Sequence, residues 1–152
     1  MVLYGYVFSL NDKKLYFFMG GFMYQNEIKI NELSIPDELI EFIGSAQIFD
    51  SSGRSGAKTF FIDRDNGYYL KITDKNMLAA EQLMYRYFGE KDLSAKVLQY
   101  ISTEKDYLLT EKIDGEVGST KKYIDEPKKL CDVYAQSLRM LHEVDFSDCP
   151  NQ

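Results

Sequence analysis

The chain has no tryptophan and a single histidine, His142. One histidine excludes a His–His metal site within the chain. Cysteine is nearly as scarce, with Cys131 and Cys149 the only two. They form no CxxC pair and have no histidine at ligand spacing, so the pattern argues against zinc and does not require a disulfide. Basic residues are outnumbered 18 to 24 by acidic ones, a net charge of −6. That balance argues against non-specific binding to DNA or to an anionic membrane, so neither nucleic acid nor membrane is expected as a partner. No long hydrophobic run is present. The longest, residues 15–24, is ten residues with two glycines, well short of the roughly 20 needed to span a bilayer. No secretory leader is expected: residues 1–10 are apolar, but no basic residue precedes them, and Lys13 and Lys14 follow. The expected compartment is the cytoplasm.

What is present is a globular composition. Of the 152 residues 45% are hydrophobic and 28% charged, with 12 tyrosines and 10 phenylalanines. A chain of this length is one domain by default and buries about 68–70% of its unfolded surface.

Strand patterns dominate the first two thirds. Residues 2–8 and 15–18 are β-branched and aromatic around the turn residues Asn11, Asp12, Lys13 and Lys14, which predicts a hairpin. Residues 25–30 allow another short strand. Pro36 followed by Asp37 and Glu38 predicts a short helix ending at Gly44. Residues 46–49, 57–63 and 68–72 read as three antiparallel strands. A glycine-serine loop joins the first two, and Asn66-Gly67 marks the second turn. A helix is predicted over about 76–88, with Thr73 and Asp74 as its cap and Gly89 at its end. Residues 97–101 and 107–110 form a further strand pair. The polar stretch 114–120 is expected to leave the sheet, and a last helix spans about 126–143. Strands, a helix and more strands predict an α+β domain built on an antiparallel sheet.

Candidate functional residues sit at the junctions. Lys71 ends an alternating strand run, and Glu81 lies ten residues on, within the predicted helix. Strand lysines are ordinarily solvated edge residues. Lys71 becomes a phosphate contact only if a carboxylate pre-organises its ammonium, and Glu81 is placed to do so. In Ser52-Gly53-Arg54-Ser55-Gly56 the glycines let backbone approach phosphate, and Ser55 offers a hydroxyl and an N–H. The loop is neither GxGxxG nor a P-loop, and such turns also join plain hairpins. Residues 108–115 run from an apolar strand into a polar turn, where backbone from Glu111 to Ile113 can meet an adenine edge or simply end a strand. His142 is expected at a helix C-terminus, where it suits the helix dipole.

Order and spacing together resemble the aminoglycoside 3′-phosphotransferases, antibiotic-resistance enzymes with a kinase-like fold. The resemblance is carried by Ser55-Gly56-Ala57-Lys58, Tyr69-Leu70-Lys71, the Glu81 helix, Ala95-Lys96-Val97-Leu98 and Leu108-Leu109-Thr110-Glu111 with Asp114-Gly115. It continues through Leu141-His142 and, most specifically, Asp145-Phe146-Ser147-Asp148-Cys149-Pro150. It covers roughly residues 35–150, and 1–22 have no recognised counterpart. It implies the N-terminal lobe of a protein-kinase-like fold, with the Glu81 helix packed on the sheet and a linker helix at the C-terminal end. The division implied is 1–22 as an extension, 23–113 as the nucleotide-binding lobe and 114–152 as linker and start of a second lobe.

The resemblance further implies ATP as cofactor, with Lys71 on its α- and β-phosphates, Glu81 holding Lys71, Ser55 over the phosphates and the backbone from Glu111 to Ile113 on adenine. The family's His-Gly-Asp catalytic loop is not found here, since Glu143 follows His142, and neither is its later Asp-x-Gly magnesium site. No catalytic residue and no magnesium ligand is therefore assigned. The expectation is a truncated chain that meets an aminoglycoside only through a second lobe and is inactive alone. Self-association through the apolar side of the last helix is also expected. A non-catalytic nucleotide- or partner-binding module, or a relic of an interrupted gene, remain alternatives.

Overall fold

The computed structural model describes residues 26–53, 56–114 and 121–150, with the backbone of short strands at 5–9, 14–18 and 116–117. In chain order the elements are β1 (Gly5–Ser9), β2 (Lys14–Phe18), β3 (Glu27–Ile28), a 3-10 turn (Ile30–Glu32), α1 (Asp37–Ile43), β4 (Gln47–Asp50), β5 (Lys58–Asp63) and β6 (Tyr68–Asp74). They continue with α2 (Ala79–Glu90), β7 (Val97–Ser102), β8 (Lys105–Glu111), β9 (Glu116–Val117), α3 (Lys121–Asp125) and α4 (Pro127–His142). A six-stranded sheet runs β3-β4-β5-β6-β8-β7, antiparallel at every described pairing. This is the α+β architecture of the N-terminal lobe of a kinase-like fold.

The central strands are apolar on both faces because both faces are covered. In β5, Thr59, Phe60, Phe61 and Ile62 are all buried, so the strand reads as a continuous run and not as an alternation. Phe60 and Ile62 join Leu70, Ile72, Leu109 and Ile48 in one cluster, roofed by Leu39 and Ile43 of α1. On the opposite face Leu108 meets Leu78 and Tyr85 from the α2 side, while Phe61 and Tyr69 make a neighbouring aromatic cluster. Leu70 and Ile62 have no exposed surface, and burial of each contributes about 1.5–3 kcal/mol.

The expected turn between β5 and β6 spans residues 64–67. Its left-handed residues are Asp65, at φ 51°, and Gly67, at φ 93°. The Gly67 N–H closes it by donating to the Arg64 carbonyl at 2.7 Å.

Two details differ from expectation. Helix α2 begins at Ala79, not near Asn76, and its N-cap Leu78 receives no side-chain cap from Thr73 or Asp74. Asp74 acts through its carbonyl instead, accepting from the Met77 N–H at 3.3 Å. The polar stretch 114–120 leaves the six-stranded sheet as expected, but residues 116–117 pair elsewhere: β9 lies antiparallel to β1, which is also paired with β2, in a separate sheet ordered β2-β1-β9. A two-residue strand of Glu and Val carries too little periodicity to be seen in sequence.

Helix α4 has Pro127 in its first turn and ends at His142. Its only described buried residue is Ser137, whose hydroxyl donates to the Val133 carbonyl at 2.6 Å. Leu138 stays 52% exposed. Both cysteines are free thiols. Among the described residues, no helix is long and apolar enough to cross a membrane.

Candidate functional site

Register sets the site. Lys71 lies mid-β6, opposite Thr59 of β5 on one side and Leu108 of β8 on the other. Side chains alternate along a strand, so Lys71 shares the α2 face with Tyr69, while Leu70 and Ile72 enter the α1-side core. Glu81 is the third residue of α2, in its first turn, where a carboxylate is favoured by the positive end of the helix dipole. The Lys71 ammonium donates to both Glu81 oxygens, at 2.8 and 2.7 Å. The two side chains are only 14% and 18% exposed. The solvated-edge reading of Lys71 is thereby removed: its head is held at both carboxylate oxygens within a partly covered hollow. Thr59, Tyr85, Leu108 and Thr110 wall that hollow.

A held lysine still has capacity for a ligand. An ammonium has three donors, and among the described residues its hydrogen-bond acceptors are the two Glu81 oxygens. That leaves one N–H beyond the two bonds to Glu81. The chemistry fits a phosphate, which a fixed cation binds with little loss of rotamer entropy.

The other sequence candidates fall as follows. Ser55 lies outside the described residues, as does Arg54 beside it. Glu111 is the exposed last residue of β8. Ile113 packs against both α2-face clusters, next to Phe61 and Tyr69 and near Leu78 and Tyr85. The backbone of 111–113 is partly committed: the Glu111 N–H donates to the Lys96 carbonyl at 3.0 Å and the Lys112 N–H to the Gly67 carbonyl at 2.9 Å. Of the three amides, Ile113 is the one without such a bond among the described residues. His142 is exposed at the end of α4, and no cluster of three or more metal-binding side chains occurs among the described residues.

Sequence reasoning missed two supports of α2. The first is Asp106 of β8, which has no exposed surface. One carboxylate oxygen accepts the Leu78 N–H at 2.8 Å and the other the Ser102 hydroxyl at 2.7 Å. Burial pushes its pKa up, but bonds from the Leu78 and Asn76 amides and the Ser102 and Tyr100 hydroxyls outweigh it and hold the group below the usual carboxylate value. The signal was there in the alternation: Asp106 takes the same inward parity as Leu108 and Thr110.

The second support is at the far end of α2. The Tyr87 hydroxyl donates to the Asp145 carbonyl at 2.6 Å and meets the Asp148 carboxylate at 3.0 Å. Lys91 lies 3.5 Å from Asp148 and 4.4 Å over the Tyr87 ring. Burial and the hydrogen bond to Asp148 raise the Tyr87 pKa. For Lys91 burial is unfavourable to the charge, yet the Asp148 carboxylate prevails and raises it. Asp145 is lowered by the amide and hydroxyl of Ser147. The most family-specific segment, Asp145 to Pro150, thus docks on the C-terminal end of the helix that carries Glu81.

The chain is similar in sequence to known proteins. The chain is 42% identical over 125 residues to a probable aminoglycoside 3′-phosphotransferase of Lactococcus lactis, an alignment covering 82% of this chain and 48% of that protein. It is 32% identical over 130 residues to an aminoglycoside 3′-phosphotransferase of Enterococcus faecalis, and 31% over 129 residues to one of Staphylococcus aureus. Both alignments cover 78% of this chain and 49% of the relative. No protein-family model matches the chain. The chain spans about half the length of the relatives it matches. With the lobe architecture and the paired lysine and glutamate, these similarities place the chain in the aminoglycoside 3′-phosphotransferase family.

Proposed function

We propose that residues 23–113 are the ATP-binding lobe of an aminoglycoside phosphotransferase, with 1–22 an extension and 114–152 the linker and start of a second lobe. The observation that carries this reading is the Lys71–Glu81 pair, held at 2.7 and 2.8 Å on the face shared by β6 and α2. Lys71 takes the α- and β-phosphates through its remaining N–H, and Glu81 keeps the ammonium in place. Ser55 and its glycine neighbours lie over the phosphates. Adenine is read by backbone at the end of β8, through the Ile113 amide and the carbonyls of 111–113. When bound, ATP supplies the γ-phosphoryl group that the complete protein transfers to an aminoglycoside hydroxyl.

Residues 1–152 alone hold nucleotide without using it. Transfer also needs magnesium on the β- and γ-oxygens and a group that orients the acceptor hydroxyl. Residues 1–152 contain no His-Gly-Asp, and their one Asp-x-Gly match, Asp65-Asn66-Gly67, is the β5–β6 turn that precedes Lys71. Binding is tested by titrating the 15N-labelled chain with ATP. Shifts are expected at Lys71, Ser55 and Ile113, and their loss is expected in Lys71→Ala. Absence of saturable shifts at millimolar ATP, or shifts unchanged in Lys71→Ala, would sink the assignment. A coupled ADP-release assay with magnesium, ATP and kanamycin should read no turnover for the pure 152-residue chain, and clear turnover would overturn its inactivity.

A further inference from the structure

Helix α2 has no side-chain cap of its own. The short connection from β6 into it contains Asn76, a non-glycine residue in the left-handed region at φ 67°, a conformation disfavoured for most side chains and less so for asparagine. This connection nevertheless fixes where Glu81 sits, because Glu81 lies one helical turn after Leu78. The Asp74 carbonyl takes the Met77 amide, and a carboxylate from another strand takes the next one. Asp106 accepts the Leu78 amide at 2.8 Å, and its other oxygen is held by the Ser102 hydroxyl on β7 at 2.7 Å. Leu78 is simultaneously buried against Tyr85, Ala95 and Leu108. Leu108 is the register partner of Lys71, and Asp106 the partner of Thr73, two residues further along each strand. The lysine and the clamp that sets its glutamate are thus built on the same pair of strands.

We infer that Asp106 is a positioning residue for the nucleotide site: it caps α2 from β8, fixes the Asn76–Leu78 turn and so seats Glu81 on Lys71. Such a carboxylate does for α2 what an N-cap residue does locally, but with a charged acceptor that is itself immobilised from two sides. In Asp106→Asn one acceptor oxygen becomes a donor. The connection then loses the Leu78 bond or the Ser102 bond, and the first turn of α2 can swing Glu81 away from Lys71.

The test has two readouts. The first needs no ligand: the Lys71 side-chain ammonium, observed by NMR in the 15N-labelled chain at low temperature. A slowly exchanging signal tied to Glu81 is expected in the wild type. It should be lost in Glu81→Gln and lost or strongly weakened in Asp106→Asn. The second rests on the ATP-binding reading. Asp106→Asn should weaken ATP about tenfold, the loss expected when a charged hydrogen bond that holds a site residue is removed. It should add nothing in a Glu81→Gln background, because both substitutions break the same link.

An intact Lys71 signal in Asp106→Asn, or ATP effects that multiply in the double variant, overturns the inference. If the wild type binds no ATP, the nucleotide reading fails and the ammonium readout still decides the role of Asp106. Should Asp106→Asn not fold, Ser102→Ala replaces it. That variant strips one donor and leaves the carboxylate, so a smaller loss with the same non-additivity supports the role, and additivity overturns it.

Discussion

Breaking the Lys71–Glu81 pair should destabilise the chain by an amount its burial sets. Exposed ion pairs contribute about 0.2–1 kcal/mol, whereas removing one partner of a fully buried pair costs about 3–5 kcal/mol because the other charge is left stranded. Here the contact is two-pronged, at 2.7 and 2.8 Å, and the side chains are 14% and 18% exposed. The pair therefore falls between these limits, at about 2 kcal/mol for either Lys71→Met or Glu81→Gln. For a urea slope of about 2 kcal/mol/M this is a fall of about 1 M in the unfolding midpoint, read by circular dichroism at neutral pH. The double variant should cost clearly less than the two singles combined, since neither charge is then left behind. The coupling should survive added salt better than that of a surface pair, because the hollow excludes much of the screening atmosphere. Single losses below about 0.5 kcal/mol that simply add would refute the reasoning and return Lys71 to a solvated strand lysine.

Three other outcomes are expected. Asp106 has a lowered folded pKa, so its contribution is present above the unfolded carboxylate value of about 3.9 and is lost as pH falls through the lower folded value. The urea-midpoint gap between wild type and Asp106→Asn should therefore be full at pH 6 and shrink toward pH 2, and a gap independent of pH would contradict this. Gly67→Ala should cost about 2–3 kcal/mol, since its φ is +93° and a Cβ there would meet Phe61 at 2.7 Å and Lys112 at 2.9 Å. Lys112 can move but buried Phe61 cannot, and thermal melting that leaves the alanine variant as stable as wild type would refute the clash. Tyr87→Phe should raise hydrogen exchange at residues 145–148 and in the last turn of α2 while leaving the sheet amides unchanged, because it removes the hydroxyl that ties these two segments together. Unchanged exchange at 145–148 would show that the segment is held by the aromatic contacts of Phe146 instead.

Much of the fold was legible because its cues are local. Pro36, Asp37 and Glu38 open α1, Gly44 closes it, and the paired runs at 58–63 and 68–74 carry their own turn residues. The pair at the site was legible too, as a strand lysine with a helix glutamate ten residues on. The start of α2 was misread because its cap is not local. Thr73 and Asp74 look like caps in sequence, yet the cap comes from Asp106, 28 residues after the amide it holds. Likewise nothing within 116–117 points to a strand, since that pairing depends on what β1 presents.

By itself, then, the amino-acid sequence determined the α+β class, the hairpin pairing of strands that are neighbours along the chain and the residue types that can hold a phosphate, because periodicity and turn chemistry are properties of neighbouring residues. Tertiary structure alone decided that Lys71 is clasped and not solvated, that α2 is capped from another strand, and that the Asp145–Pro150 segment rests on Tyr87. Each of these depends on a carboxylate or hydroxyl reaching across a distance in sequence that only the packed sheet closes.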